Sequence, residues 1–289
     1  MTITIDKAAG FCPGVRKAIR TAEKQLEENE SFHSLGSLLH NEEEMGRLGE
    51  LGLVVIEKDD VPGLCGQKLL FRAHGEPPET FELAAKHDVQ VVDATCAVVR
   101  KLQNDVAHNV KEMQKQDGQV VLYGKPGHPE VLGLLGQTSG DGILVSSLQD
   151  LGKVDMRKPV RLFSQTTMDA NSYDLIASAI REQMSRHAAE PDLVVHKSIC
   201  SHVLKRVPSL KEFASKHELV IFVSGRESSN GKKLFNICSA VNPNTHFISE
   251  PGELKAEWFK DTGSVGISGA ASTPLWLMED VAKKIKELN

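Results

Sequence analysis

Short runs rich in Val, Ile, Leu and Phe alternate along the chain with longer stretches whose apolar positions recur every three or four residues. The first kind predicts strands and the second amphipathic helices; their regular alternation predicts an α/β fold with mostly parallel sheets. Three of the predicted strand-loop-helix units share one detail. "TITIDKAAG" leads to Cys12 and then the helical "VRKAIRTAEKQLEE"; "VQVVDAT" leads to Cys96 and "AVVRKLQNDVAHNVKEM"; "DLVVHKSI" leads to Cys200 and "SHVLKRVPSLKEFASK".

The repeat extends beyond each of these units. The strand-loop segments "FHSLGSLLHN", "QVVLYGKPGHPE" and "LVIFVSGRESSN" each run into a helix and a short strand. After them come "KLLFRAHGEP", "VRLFSQTT" and "SVGISGAASTP", each with a further helix. Such a repeat predicts three similar α/β domains with mostly parallel sheets around a pseudo-threefold axis with a metal site at its centre. In chain order these are 1–95 with Cys12, His40 and His74; 96–196 with Cys96, His128, Glu130 and Thr166; and 197–289 with Cys200, Ser228, Asn230 and Ser272. Ligands of parallel sheets gather at loops beyond the strand C-terminal ends, so the loops of the three domains are expected to face a common centre.

Composition narrows the function classes. With 40% apolar and 25% charged residues the chain reads as an ordinary globular protein, and its net charge of −5 offers no overall basic character for a nucleic-acid backbone. No apolar run approaches a membrane span and the first residues do not read as a secretory signal, so a cytoplasmic protein is expected. Five scattered cysteines without such a signal argue against a disulfide framework and for metal or redox chemistry.

A thiol at a helix N-terminus is favoured as thiolate, the form that ligates metal. Three such thiolates suit a zinc ion with one open position, or an iron–sulfur cluster with one iron lacking a protein ligand; their wide spacing in sequence favours the cluster. Cys65 and Cys238 do not share the repeated position and read as structural. His40, His74 and His128 each come after a predicted strand. Singly they read as surface or capping residues, together as part of a polar pocket. Ser228, Ser229 and Asn230 in "RESSN" and Ser272 in "GAASTP" can cap helices or, with the histidines, hold a phosphate or diphosphate. Glu130 in "GHPE" can stabilise a helix N-terminus or, if desolvated, donate a proton, with Thr166 and Thr167 in "QTT" as relay or caps.

The motifs "GFCPGV", "HN" at 40, "AHG" at 74, "DATC" at 96, "GHPE" at 128, "QTT" at 165, Cys200, "SSN" at 228 and "AST" at 271 stand in order along nearly the whole chain. This series resembles the 4-hydroxy-3-methylbut-2-enyl diphosphate reductases, the IspH or LytB family of the methylerythritol phosphate route to isoprenoids. The resemblance implies a three-domain trefoil with one [4Fe–4S] cluster per chain on Cys12, Cys96 and Cys200, its fourth iron without a protein ligand. It further implies that His40, His74, His128, Thr166, Ser228, Ser229, Asn230 and Ser272 bind the diphosphate substrate. Glu130, with Thr166 and His128, would act in proton delivery, and a reduced ferredoxin or flavodoxin would supply electrons. The chain departs from the family pattern at Ala97, where Pro is usual, and at Val203 and Val207 after the third cysteine.

Overall fold

A computed structural model describes residues 1–288, with the side chain of Ser229 outside the description. The first part of the chain runs β1 (Thr2–Ile5), α1 (Pro13–Glu28), β2 (Phe32–Leu35), α2 (Glu42–Glu50), β3 (Leu53–Ile56), β4 (Lys68–Phe71), α3 (Pro78–Lys86) and β5 (Gln90–Asp93). The middle continues with α4 (Ala97–Lys115), β6 (Gln119–Tyr123), α5 (Pro129–Gly136), β7 (Gly142–Val145), β8 (Val160–Ser164), α6 (Ala170–Met184) and β9 (Leu193–Val195). The last part holds α7 (Ser201–Ser215), β10 (Leu219–Val223), α8 (Ser229–Val241), β11 (Thr245–Ile248), β12 (Ser264–Gly269) and α9 (Leu275–Leu288).

The strands form three four-stranded sheets, and the recorded pairings are parallel. The chain divides into two compact units, residues 1–56 with 204–289 and residues 57–203. The first unit holds the whole sheet β1-β12-β10-β11, and the second the whole sheet β7-β6-β8-β9. The remaining sheet supplies the pair β2/β3 to the first unit and β4/β5 to the second. The opening strand β1 is hydrogen-bonded to β12, from Thr2 against Ser264 to Ile5 against Ile267, and not to the strands that come after it within 1–95.

Burial tracks position in the sheet. The inner strand β10, "LVIFV", is buried throughout, as expected where helices cover both faces; β1 alternates between exposed and half-buried. Along β10, Leu219, Ile221 and Val223 point into one core with Val265, Ile267, Leu277 and Val281, while Val220 and Phe222 point into another with Leu210, Leu234 and Cys238. The same two-sided alternation divides Val121 from Val120 and Leu122 along β6. In α4 the buried positions Val99, Leu102, Val106, Val110 and Met113 recur at helical spacing, and the last four pack on β6 and β8. Among the described residues, no helix is long and apolar enough to cross a membrane.

Candidate active site

In the first unit Cys12 is the residue before α1, with Pro13 at the first helical position, where its fixed φ suits the helix and its missing N–H costs nothing. Gly10 turns the chain at φ 97°, a conformation that disfavours a side chain. Three further loops of this unit meet. Gly225 brings the β10–α8 loop so close to the β2–α2 loop that a Cβ would lie 2.4 Å from the carbonyl oxygen of His40. Ser228, 3% exposed, caps α8 by accepting from the N–H of Gly231 at 3.0 Å. Its hydroxyl is 3.5 Å from that of Ser272, which in turn lies 3.5 Å from the His40 carbonyl oxygen. His40 is exposed, Asn41 behind it is buried and caps α2, and Asn230 is half-buried as the second residue of α8. The Ser228 and Ser272 hydroxyls and the N-termini of α2 and α8 thus share one neighbourhood, which suits an anion. The side chain of Ser229, assigned to the same cage from sequence, lies outside the described residues.

In the second unit Cys96 and Cys200 are held alike. The N–H of Cys96 donates to the carbonyl of Ala73, next to His74, at 3.0 Å; that of Cys200 donates to the carbonyl of Thr166 at 2.9 Å. Each thiol-bearing loop is therefore fastened to a neighbouring loop that carries a polar site candidate. The rings of His74 and His128 meet edge to face with centroids 5.3 Å apart. His128 caps α5, its Nδ1 accepting from the N–H of Glu130 at 3.1 Å, which leaves the proton of the neutral ring on Nε2 as a donor.

Glu130 is 2% exposed. Its Oε1 accepts from the backbone N–H of Thr166 at 2.6 Å and its Oε2 pairs with the Thr166 hydroxyl at 2.8 Å. Burial pushes its carboxyl up to about 7, although both Thr166 hydrogen bonds pull the other way. Desolvation thus wins over hydrogen bonding, and near neutrality the group is both acid and base. The backbone N–H fixes Oε1 as an acceptor, so the proton of the acid belongs on Oε2, facing the Thr166 hydroxyl. Thr167, by contrast, is exposed and accepts from the Gln165 amide at 2.9 Å.

Two supporting residues carry no sequence signal of their own. Gln103, fully buried on α4, has its amide 2.7 Å from where a Cβ on Gly75 would lie, and the turn after His74 favours glycine at φ 72°. Gln165 accepts from the N–H of Lys125 at 3.1 Å and so fastens the loop leading to His128; only its place in "SQTT" marks it.

Cys12, Cys96 and Cys200 each come after the edge strand of a sheet, immediately precede a long helix and are half-buried. Cys238 differs: it is fully buried in the core against Thr245, and burial raises its thiol pKa. Cys65 is exposed in a turn. The repeated thiols thus have the accessibility and helix-start setting that soft-metal ligands need, and the other two lack one or both. Among the described residues, no three His, Cys, Asp or Glu side chains are grouped as ligands of a single metal ion.

The model of the LytB protein family matches residues 3–286. The chain belongs to the LytB family. Among LytB relatives, the 4-hydroxy-3-methylbut-2-enyl diphosphate reductase of Porphyromonas gingivalis is 45% identical over 290 residues, covering 99% of each chain. That of Bacteroides thetaiotaomicron is 42% identical over 286 residues, 99% of this chain and 98% of the relative. A solved (E)-4-hydroxy-3-methyl-but-2-enyl diphosphate reductase, described as the terminal enzyme of the non-mevalonate pathway, superposes with a TM-score of 0.77 at 33% identity, covering 99% of this chain and 100% of the other. The Plasmodium falciparum reductase superposes with a TM-score of 0.81 at 26% identity, over 97% of this chain and 86% of that one.

Proposed function

We propose that this LytB protein removes the allylic hydroxyl of 4-hydroxy-3-methylbut-2-enyl diphosphate, consuming two electrons and two protons and giving water with isopentenyl and dimethylallyl diphosphate. The observation that carries the reading is Glu130, a fully buried carboxyl with a pKa near 7 held by Thr166, in a chain that matches reductases of this substrate over its whole length.

Hydroxide is a poor leaving group, so its departure needs a proton. The Thr166 hydroxyl donates to Oε2 of the ionised carboxyl; when Glu130 is protonated there, the bond reverses, and Thr166 can accept that proton while passing its own toward the leaving oxygen. The diphosphate falls to His40, His74, His128, Ser228, Asn230 and Ser272, with the His128 Nε2–H as one donor. The residues fit an iron–sulfur group: Cys12, Cys96 and Cys200 are soft donors in equivalent, half-buried positions. When bound to them, a [4Fe–4S] cluster would supply single electrons and an iron open to the substrate hydroxyl.

Anaerobic purification, iron and sulfide analysis, and turnover of the diphosphate with a chemical reductant test the whole reading. An iron-containing protein that consumes substrate is expected. A colourless protein holding one zinc, or an iron–sulfur protein inert toward the diphosphate, would refute it.

A further inference from the structure

Net charge conceals a local feature on α1. Pro13, Arg16, Lys17, Arg20, Thr21, Lys24 and Gln25 line one shallow groove. Their spacing by three and four residues makes a single stripe along the helix, opposite the face that buries Ala18, Ile19 and Ala22. Around the groove no acid lines the cations; Glu23, on the same helix, is paired with Arg47.

The arrangement works against the helix itself. Arg16 with Arg20 and Arg20 with Lys24 are like charges four apart, and α1 has no acid in its first turn, where the dipole favours one. Glu27 and Glu28 follow Lys24 by three and four residues, but no acid lines the groove itself, so its cations present an attractive field to a partner of opposite sign. The stripe also begins beside Cys12, where the Arg16 guanidinium donates to the carbonyl of Phe11 at 3.3 Å. In a chain of net charge −5, an acidic protein is repelled by the average surface and drawn to this one.

We propose that the Arg16–Lys17–Arg20–Lys24 face of α1 is the docking surface for a small acidic electron-carrier protein, which delivers single electrons beside Cys12. The proposal rests on the reductase reading, because that reaction needs two electrons from outside the chain. Four cations on one helix make a narrow footprint, better matched to the acidic rim of a small carrier than to a nucleic-acid backbone.

The test uses the iron-loaded enzyme, reduced flavodoxin as the acidic carrier and reduced methyl viologen as a small reductant that needs no docking surface. The variant Lys17→Glu/Arg20→Glu/Lys24→Glu leaves Arg16 and Cys12 untouched. At low salt its KM and Kd for flavodoxin should rise by about tenfold or more. Its viologen-driven turnover should stay at the wild-type rate, which also shows that the variant is folded. The Gln triple variant should fall between the two, and the differences should shrink as added salt shortens the screening length. Unchanged flavodoxin KM and Kd in the Glu variant would overturn the proposal. So would a wild-type protein that binds single-stranded RNA through this face and does not bind flavodoxin. Viologen-driven turnover absent from the wild type would instead sink the reductase reading, and the flavodoxin Kd would still judge the docking surface by itself.

Discussion

The loops from β6 to α5 and from β10 to α8 occupy the same place in the repeat, and they are built for opposite tasks. Each ends in a residue whose side chain caps the helix, His128 in one and Ser228 in the other. The second residue of each helix is where they part: Glu130 at one, Asn230 at the other. At α8 the cap is a hydroxyl 3.5 Å from a second hydroxyl, and the surroundings offer donors that suit an anion brought from outside. At α5 the chain supplies its own acid and buries it. A helix N-terminus ordinarily favours an ionised carboxylate, yet desolvation lifts Glu130 to about 7. One scaffold position thus presents neutral polar groups in one sheet and a buried acid in another, and the residue after the first helical position makes the difference.

The largest effect should come from the three thiols at the repeated position. Cys12→Ser, Cys96→Ser and Cys200→Ser should each lose most of the bound iron and the turnover, while Cys238→Ala keeps the iron; anaerobic iron analysis reads the contrast directly. A cluster retained in full by any of the three serine variants would remove that cysteine from the ligand set.

Next, Glu130→Gln should keep iron and diphosphate affinity while turnover falls by about 10²–10⁴-fold. The pH dependence carries the sign. Glu130 is protonated below about 7, so wild-type kcat should decline as pH rises through 7, and the residual rate of the variant should be flat there. A wild-type profile rising through that range would assign the proton to another group.

Stability should show the same carboxyl from the other side. Its folded pKa, about 7, lies above the ordinary glutamate value of 4.5, so the folded state binds the proton more tightly. That advantage is fully present below 4.5 and is lost as pH rises through 7. Glu130→Gln should therefore raise stability at pH 8 by up to about 3 kcal/mol and give no gain near pH 4.5. Denaturant titrations at both pH values check this, and an equal effect at both would contradict the buried-acid assignment.

The smallest expected effect lies in the anion half of the comparison. Ser228→Ala removes the cap of α8 and should cost about 1 kcal/mol of stability, together with a severalfold rise in substrate KM and little change in kcat. A fall in kcat with KM unchanged would move Ser228 out of diphosphate binding.

Much of this was legible in the sequence because the information is local. The strand runs, the helices and the placing of three cysteines at helix starts depend on neighbours a few residues apart, and the motifs that carry the family resemblance lie in those same connections. The pairing of β1 with β12 was not legible, since hydrogen bonds between strands at opposite ends of the chain leave no local pattern. The state of Glu130 was open for a related reason: helix-start glutamates look alike until the Thr166 loop closes over one of them. The basic stripe of α1 disappeared into a negative total, because charge counts ignore which face a residue occupies.

The union of β1 with β12 also orders events in time. During synthesis β1 leaves the ribosome well before its hydrogen-bonding partner, Ser264–Gly269, and must wait for the intervening chain before it can pair. Cys12, borne on the loop that this strand anchors, is thus the earliest of the three repeated thiols to be translated and the last to gain its sheet.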